Sequence, residues 1–308
     1  MNVIVFGGSG FVGSHVADAL VEAGHCVKIF DRHPSPYLRE GQEMLLGDIL
    51  DVHAVARAVK GCAVIYNFSG LADLDDASTK PLDTVQLNVL GNVNLLEAAK
   101  AIRCKRFVYA STIYVHSELG GFYRCSKQAA ESYVEEYQRR YGLDFTILRY
   151  GTLYGPRAGS RNSVCRYLQQ ALTQGAIQCS GSGDELREYI HVRDAAKLSA
   201  EILAPTYSNR HITITGHHPM AFRQLLAMIN EMLGGSIAIE FQAENNPAHY
   251  MLTPYTFVPK IGQKLTTNCY TDIGQGLLEC LSELSGHARD SAPMKPRRRA
   301  SLAKRGRY

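Results

Sequence analysis

The sequence of 308 residues contains no apolar run long enough to cross a membrane as a helix. The first apolar run already begins at Asn2, which leaves no room for a signal peptide before it. The eight cysteines are scattered and show neither a C-x-x-C pair nor the spacing of metal ligands. These absences predict a cytoplasmic protein with reduced thiols and no metal site.

Acidic residues are missing from one end of the chain. The formal net charge is +4, but residues 295–307 contain seven Lys or Arg and no Asp or Glu, so the remainder is net negative. The body therefore lacks the excess positive charge that nucleic-acid binding requires, and no nucleic-acid partner is expected for it. Residues 285–308 have too little apolar content to fold alone and predict a disordered basic tail. The alternative for the tail is contact with an anionic surface.

A glycine-rich turn follows the first apolar run. Residues 2–6, NVIVF, predict a strand, and the segment GGSGFVG comes next, followed by a helical pattern and a second apolar run. Strand, glycine turn, helix and strand in this order form the context of a dinucleotide site. We expect Gly7 to form the turn, Gly10 to admit the pyrophosphate and Gly13 to let the helix pack closely. The helix N-terminus would offer unpaired N–H groups to the phosphates.

Asp31 ends the second predicted strand. A carboxylate in this position can accept both ribose hydroxyls of an adenosine and would repel a 2′-phosphate, which favours NAD over NADP. Arg32 is the counter-argument, because its guanidinium could pair with that phosphate. NAD is therefore the expected cofactor.

Strand and helix patterns alternate through the first half of the chain. After Asp31, strands are predicted at 43–46, 63–68, 106–110 and 145–149, helices at 51–60, 82–102 and 122–141, and a polar loop at 69–80. This alternation predicts the α/β class, with a doubly wound parallel (Rossmann) sheet covered by helices on both faces. Ligands in such folds bind at the carboxyl ends of the strands.

The stretch 108–130 carries the candidate catalytic residues. Tyr123 and Lys127 are four residues apart on a predicted helix and therefore share one face. A phenol beside an ammonium can lose its proton nearer neutral pH, so the pair could act as a base toward an alcohol. Ser111 and Thr112 are expected in a short loop before the helix, with Thr112 positioning the same alcohol. Chance also supplies such pairs, so the motif depends on its context.

The texture of the sequence changes after Arg149 to glycine-rich segments that predict a smaller C-terminal substrate lobe. Further helices are predicted at 193–203, 222–233 and near 274–284, and a strand at 211–215. The expected organisation is an NAD-binding Rossmann domain at 1–153, to which the chain returns at 189–215, and a substrate-binding lobe from 154–188 and 216–284.

These motifs together resemble the extended short-chain dehydrogenase/reductase family, specifically its NAD-dependent nucleotide-sugar epimerase/dehydratase branch, with UDP-glucose 4-epimerase as the type. The resemblance covers roughly residues 1–284. The matching pieces are GGSGFVG with Asp31, GDILD at Asp48, NVLGNVNLLEAA at Asn88, FVYAST at Thr112, Tyr123-x-x-x-Lys127, LRYGTLYGPR at Arg149 and REYIHVRD at Arg187.

The resemblance implies roles for individual residues. Tyr123 would take the proton from a sugar hydroxyl, usually at C4, while hydride moves to the nicotinamide, and Lys127 would hold the nicotinamide ribose. Thr112 would bond the reacting oxygen, and Arg187 would bind the substrate diphosphate; a salt bridge to Glu185 or Asp194 is its alternative role. The implied cofactor site comprises Gly7, Gly10, Phe11, Val12, Gly13, Asp31, Arg32, Asp48, Ile49, Asn88, Tyr123 and Lys127. The implied substrate site comprises Thr112, Tyr123, Thr152 and Arg187.

The chain also departs from the family pattern. Ile113 and Tyr114 stand where sugar 4,6-dehydratases carry an Asp-Glu pair, which argues against dehydration. His116-Ser117 replaces the usual Tyr-Gly, and Thr152 replaces an asparagine. The link from Thr112 to Tyr123 is shorter than usual, and the later Arg-x-Gly-Asp segment is missing. The sugar therefore stays open.

The leading functional prediction is an NAD-dependent epimerase that acts at C4 of a nucleotide-activated sugar. The first alternative is a C4 dehydrogenase or reductase without epimerisation. The second is an extended reductase of a hydrophobic alcohol or ketone, and the third is a non-catalytic NAD-binding regulatory protein. The resemblance further implies a homodimer through the helices near 82–102 and 122–141.

Overall fold

Seven parallel strands form the central sheet of the computed structural model, which describes residues 1–242, 251, 252 and 254. The strands are β1 (Asn2–Phe6), β2 (Cys26–Asp31), β3 (Gln42–Leu46), β4 (Val64–Asn67), β5 (Arg106–Thr112), β6 (Phe145–Tyr150), β7 (Thr152–Tyr154), β8 (Ala176–Ser180), β9 (Leu186–Arg187), β10 (Tyr189–His191), β11 (Arg210–Ile214), β12 (Met220–Ala221) and β13 (Ala238–Gln242). The helices are α1 (Phe11–Glu22), α2 (Val52–Ala58), α3 (Leu74–Thr79), α4 (Pro81–Asp83), α5 (Gly91–Ala101), α6 (Gly121–Tyr141), α7 (Ser163–Gln174), α8 (Val192–Glu201) and α9 (Phe222–Met232). A π-helical segment (Thr84–Leu90) joins α4 to α5, and 3₁₀ turns lie at Ile113–His116 and Pro205–Tyr207.

The strand order of the sheet is β11-β6-β5-β4-β1-β2-β3, and every pair is parallel. The predicted doubly wound α/β sheet is therefore confirmed. The chain leaves β1 towards β2 on one side and later returns to β4 on the other side. This reversal creates a crevice at the carboxyl ends of β1 and β4, which is where ligands bind in such sheets.

Both faces of the sheet are buried, which explains why β1 is apolar from Val3 to Phe6. Ile4 and Phe6 face a core shared with α2, α5 and α6, whereas Val3 and Val5 face a core shared with α1 and α8. All four side chains are fully buried. Each such side chain contributes roughly 1.5–3 kcal/mol relative to an exposed one.

The region that follows β6 forms smaller sheets. β7 pairs with β10, β8 pairs with β13, and β12 pairs with β9. A third apolar cluster joins α7 and α9 through Tyr167, Phe222 and Leu226. The predicted helices at 193–203 and 222–233 appear as α8 and α9, and the strand at 211–215 appears as β11, which joins the main sheet beside β6.

Three expectations about local structure are wrong. The polar loop at 69–80 contains α3, which the Asp73 carboxylate caps by accepting the N–H of Asp76 at 2.8 Å. Ser111 and Thr112 do not lie in a loop, because β5 continues to Thr112, paired with Tyr150 of β6. The helix at 82–102 is not uniform, since its middle is π-helical.

Two predictions concern residues that the structure does not describe. The helix near 274–284 and the basic tail at 285–308 lie outside the described residues. Among the helices that the structure describes, none is both long and apolar enough to cross a membrane. Within the same part of the chain, no group of three or more His, Cys, Asp or Glu is arranged to hold a metal ion.

Candidate active site

The glycine turn between β1 and α1 has steric reasons for its glycines. Gly7 has a φ of +75°, and a Cβ on it would lie 2.6 Å from the backbone of Phe68 and Ser69 after β4. A Cβ on Gly13 would lie 2.3 Å from the carbonyl oxygen of Gly7. α1 is thus packed directly on the turn, and Gly10 precedes it without a side-chain cap. The first N–H groups of α1, from Phe11, Val12 and Gly13, have no intrahelical acceptor and suit an anion.

Asp31 lies beside this turn. Its Oδ2 accepts the backbone N–H of Ser9 at 3.1 Å, and its Oδ1 accepts the N–H of His33 at 3.3 Å. The Ser9 hydroxyl donates to the carbonyl oxygen of His33 at 2.8 Å and closes the arrangement. Arg32, in contrast, is exposed. The predicted ribose-binding carboxylate is therefore fixed against the glycine turn, whereas the competing guanidinium extends towards solvent.

Asp48 and Ile49 follow β3, the strand that pairs with β2. The N–H of Gly47 donates to the carbonyl oxygen of Asp31 at 2.9 Å, so this segment adjoins the end of β2. The Asp48 carboxylate accepts the N–H of Leu50 at 2.9 Å, and Asn94 of α5 donates to the carbonyl oxygen of Ile49 at 3.0 Å. The structure thus brings Asp48 and Ile49 of the implied cofactor site to the same edge of the sheet as Asp31.

Asn88 is buried in the π-helical segment. Its Oδ1 accepts the N–H of Leu71 at 2.7 Å, and its Nδ2 donates to the carbonyl oxygen of Leu71 at 3.0 Å and to the Ser126 hydroxyl at 2.9 Å. Asn88 therefore contacts α6 at the residue before Lys127. Asn88 makes this contact from within the π-helical segment, a type of turn that is frequent at functional sites.

Thr112, Tyr123 and Lys127 converge at the carboxyl end of β5, and all three are buried. The Tyr123 side chain is hydrogen-bonded to the Thr112 side chain. Lys127 Nζ donates to the carbonyl oxygen of Ala110 at 2.8 Å and lies 5.8 Å from the centre of the Tyr123 ring. The extension of β5 places Thr112 opposite the first turn of α6, which the sequence could not show.

Burial dominates the protonation of this group. It raises the pKa of Tyr123 to about 12, although the hydrogen bond with Thr112 acts in the opposite direction. Burial also lowers the pKa of Lys127 to about 8, against the attraction of the Glu131 carboxylate. The expectation of a phenol that ionises nearer neutral pH is wrong for this arrangement, because desolvation of the phenolate outweighs the hydrogen bond with Thr112.

A second polar cluster, missed in the sequence, lies one turn further along α6. Glu131 is buried and accepts the Ser111 hydroxyl at 2.5 Å. Arg149 of β6 donates to both carboxylate oxygens, at 3.1 Å from Nε and 2.6 Å from Nη2. Arg149 Nη1 lies 3.2 Å from His116 Nε2. The spacing of four residues from Lys127 to Glu131 is the signal that could have identified it.

The short link from Thr112 to Tyr123 is tied to α6 at two points. Gln128 donates to the carbonyl oxygen of Val115 at 2.8 Å, and Arg124 Nη1 donates to that of Ser117 at 3.0 Å. The Tyr114 ring meets the Tyr123 ring edge-on, with centroids 6.4 Å apart. The link is therefore held against α6 and packs beside Tyr123.

The remaining predicted substrate residues lie on other elements. Thr152 is on β7, paired with Tyr189 of β10. Arg187 is on β9, half-buried, and paired with Met220 of β12. These short strands are separate from the elements that carry Tyr123 and Lys127.

Residues 3–214 match the sequence profile of the NAD-dependent epimerase/dehydratase family. The chain belongs to this family. The resemblance seen in the sequence is thereby confirmed, and NAD is the cofactor from which the family takes its name.

Similar proteins within this family catalyse different reactions, according to their names. A putative UDP-glucose 4-epimerase of Methanocaldococcus jannaschii is 26% identical over 253 residues, which are 75% of this chain and 82% of that protein. A UDP-N-acetyl-alpha-D-glucosaminuronate decarboxylase of Bacillus cytotoxicus is 25% identical over 264 residues, 77% of this chain and 81% of that protein. Among solved structures, the UDP-glucose 4-epimerase of Thermus thermophilus in complex with NAD is 25% identical with a TM-score of 0.75, covering 85% of this chain and 95% of that one.

Proposed function

We propose that the protein is an NAD-dependent enzyme that oxidises a nucleotide-activated sugar at C4 and returns the hydride to the opposite face. The observation that carries this proposal is the convergence of Thr112, Tyr123 and Lys127 at the carboxyl end of β5. A tyrosine base, a hydroxyl to hold the reacting oxygen and a buried ammonium are the groups that alcohol oxidation needs.

The glycine turn fits the cofactor. Side chains at residues 7 and 13 would collide with the backbone, so the turn leaves the start of α1 open to a pyrophosphate. Asp31 would bind the adenosine ribose, and Asp48 and Ile49 would flank the adenine. NAD, when bound, supplies a hydride acceptor and a positive charge on the nicotinamide that favours the phenolate form of a nearby tyrosine.

The chain's own residues would handle the proton. The Tyr123 oxygen would accept the proton of the sugar hydroxyl, and the Thr112 hydroxyl would hold the same oxygen. Lys127 would hold the nicotinamide ribose with the N–H groups not used by Ala110. Asn88 would support this geometry through Ser126. Epimerisation requires no further acid or base, because Tyr123 returns the proton when hydride returns from the other side.

The reaction type is tested with a panel of UDP-, GDP-, CDP- and dTDP-sugars. Product NMR and absorbance at the reduced-nicotinamide band are followed together. Inversion at C4 without accumulation of NADH supports the epimerase. Stoichiometric NADH accumulation identifies a dehydrogenase, the second candidate, and contradicts the proposal of epimerisation.

Arg187 is the proposed ligand of the substrate diphosphate, within the substrate lobe predicted at 154–188 and 216–284. Residues 243–284 of that prediction, except 251, 252 and 254, lie outside the described residues. Its guanidinium suits a diphosphate because it can donate two parallel hydrogen bonds. Thr152, the first residue of β7, would contact the sugar. Arg187→Ala should weaken nucleotide-sugar binding at least about tenfold. Unchanged affinity would favour a hydrophobic alcohol or ketone as the substrate.

We also propose a homodimer through the α4–α5 and α6 faces. Leu82 and Val85 are 76% and 56% exposed, and Phe122 and Tyr133 of α6 are exposed as well. Apolar patches of this kind mark protein–protein contacts. Leu82→Lys should yield a monomer in light scattering, whereas Met232→Lys, on the exposed side of α9, should not. A Leu82→Lys dimer would contradict this interface.

A further inference from the structure

One face of α6 presents Tyr123, Lys127, Glu131 and Glu135 at intervals of four residues. Three of these residues bond to successive strands of the sheet. Lys127 bonds to β5, Glu131 bonds to β5 and β6, and Glu135 bonds to His211 of β11 at 2.8 Å. The two carboxylates differ in their surroundings. The side chain of Glu131 is 8% exposed, whereas that of Glu135 is 39% exposed. Only the first of these two carboxylates acts through a low-dielectric interior.

Three hydrogen bonds hold the Glu131 carboxylate in place. The donors are the Ser111 hydroxyl and two nitrogens of Arg149, at 2.5 to 3.1 Å. Arg149 extends the cluster to His116 on the 3₁₀ turn. Since a guanidinium only donates, His116 Nε2 accepts this bond and the imidazole is neutral. The cluster ties α6, both strand ends and the turn after Thr112 into one unit.

Stability alone does not explain this cluster. Desolvation of a buried ion pair offsets most of its Coulomb attraction, and apolar replacements are often equally stable. The more specific consequence of the Glu131 charge concerns Lys127. The titratable groups around Lys127 are Tyr109 on β5, 4.8 Å from Nζ to the ring centre, and Tyr123 and Glu131 on α6. Of these, Glu131 is the group that supplies a negative charge at neutral pH.

We propose that Glu131 is a positioning residue that keeps the Lys127 ammonium charged and directed at the end of β5, with Ser111 and Arg149 holding the carboxylate. The inference rests on the proposed function of Lys127 as the residue that holds the ribose and supports Tyr123. The geometry supports it, because Lys127 and Glu131 lie one turn apart on the buried face of α6 and bond to the adjacent β5 residues Ala110 and Ser111. The direction of the Lys127 pKa agrees, since burial lowers this pKa and Glu131 opposes the change. Without Glu131, a larger share of Lys127 would be neutral at physiological pH.

The decisive experiment is an NMR titration of protein labelled with ¹³C at the lysine ε carbons, without cofactor or substrate. The Lys127 signal is assigned from its absence in Lys127→Gln. We expect a midpoint near 8 in the wild type and a fall of roughly half a unit or more in Glu131→Gln. Glu131→Asp, which keeps the charge, should restore most of the shift.

Glu135→Gln is the matched control, because it removes a carboxylate from the same face of α6 one turn further on. Its Lys127 midpoint should equal that of the wild type. A Glu131→Gln midpoint equal to the wild type, or a Glu135→Gln shift of the same size, would overturn the proposal. If Glu131→Gln does not fold, Glu131→Gln/Arg149→Met leaves no unpaired guanidinium and is expected to show the same fall.

A pH profile of turnover provides the second readout. The basic limb of kcat/KM should move to lower pH in Glu131→Gln and stay in place in Glu135→Gln. A uniform loss of rate at every pH would indicate a structural role and contradict the inference. The NMR titration needs no turnover, so failure to find any sugar substrate bears on the proposed function and leaves the titration result standing.

Discussion

Lys127 Nζ donates a hydrogen bond of 2.8 Å to the carbonyl oxygen of Ala110, two residues before Thr112 at the end of β5. The bond fastens α6 to β5 and places a buried ammonium beside the ring of Tyr123. The same arrangement makes the charge costly for the fold, because burial disfavours the ammonium. Stability and the proposed chemistry therefore have opposite requirements at this residue.

This conflict predicts how stability depends on pH. The pKa of Lys127 is lowered from 10.5 to about 8, so between these pH values the unfolded chain binds a proton that the folded chain does not. Wild-type stability should therefore rise with pH across this window, by about 3 kcal/mol if the window is complete. Lys127→Met should lack this rise and lose turnover by about 100-fold or more.

Denaturant midpoints of the wild type and Lys127→Met between pH 7 and 9.5 check this prediction. The midpoint of the wild type should rise relative to that of Lys127→Met as pH rises through 8. Parallel curves over this range would show that Lys127 is not desolvated in the folded protein.

The position of Asp31 leads us to expect a preference for NAD over NADP. Its carboxylate is fixed by Ser9 and His33, whereas Arg32 is exposed. Asp31→Asn removes the charge, and we expect NAD affinity to fall roughly tenfold or more with a smaller preference over NADP. Arg32→Ser should keep the preference for NAD. Calorimetric titration with both dinucleotides measures the change, and a wild type that binds NADP more tightly would refute this assignment.

The packing around Gly13 leaves no room for a larger side chain at this position. Its Cβ would lie 2.3 Å from the carbonyl oxygen of Gly7, so Gly13→Ala should displace α1 from the turn and cost about 1–3 kcal/mol or more. The matched control is Gly159→Ala, because a Cβ there meets nothing within 4 Å. Thermal unfolding and NAD binding should suffer in the first variant only. Equal melting temperatures would show that α1 does not pack on the turn in this way.

The contact between His116 and Arg149 should make the stability of the protein sensitive to acid. Burial and the Arg149 guanidinium lower the pKa of His116 below its ordinary 6.5. As pH falls below 6.5, the unfolded chain takes up a proton that the folded protein resists, so stability should decrease. In His116→Gln, whose side chain can still accept from Arg149, this decrease should be smaller. Unfolding midpoints between pH 7 and 5 test it, and identical slopes would exclude His116 as the cause.

The sequence predicted the sheet because its strands are short, apolar and regularly separated by helical patterns. NVIVF and the run that ends at Asp31 appear as β1 and β2 with the expected bounds. α3 was missed because its residues are polar and its start depends on a cap by Asp73. Ser111 and Thr112 were misplaced because their strand partner, β6, is distant in sequence.

The sequence predicted part of the geometry of the candidate site but not the protonation of its residues. The Tyr123–Lys127 spacing placed both residues on one face, as observed. The direction of the Tyr123 pKa was wrong because the depth of burial depends on how β5, α6 and the link at 113–116 pack together. Glu131 and Arg149 are 18 residues apart on α6 and β6, and the spacing from Lys127 indicates the helix face of Glu131 but not its pairing with Arg149.

The central claim is that Tyr123 is the base of an NAD-dependent oxidation, and Tyr123→Phe tests it most directly. The measurement is C4 inversion of the best sugar of the nucleotide-sugar panel by NMR, with NAD binding measured by calorimetry on the same samples. We predict that Tyr123→Phe binds NAD as the wild type does and turns over at least about 100-fold more slowly, whereas the control Tyr207→Phe keeps full turnover. Wild-type turnover in Tyr123→Phe would contradict the account.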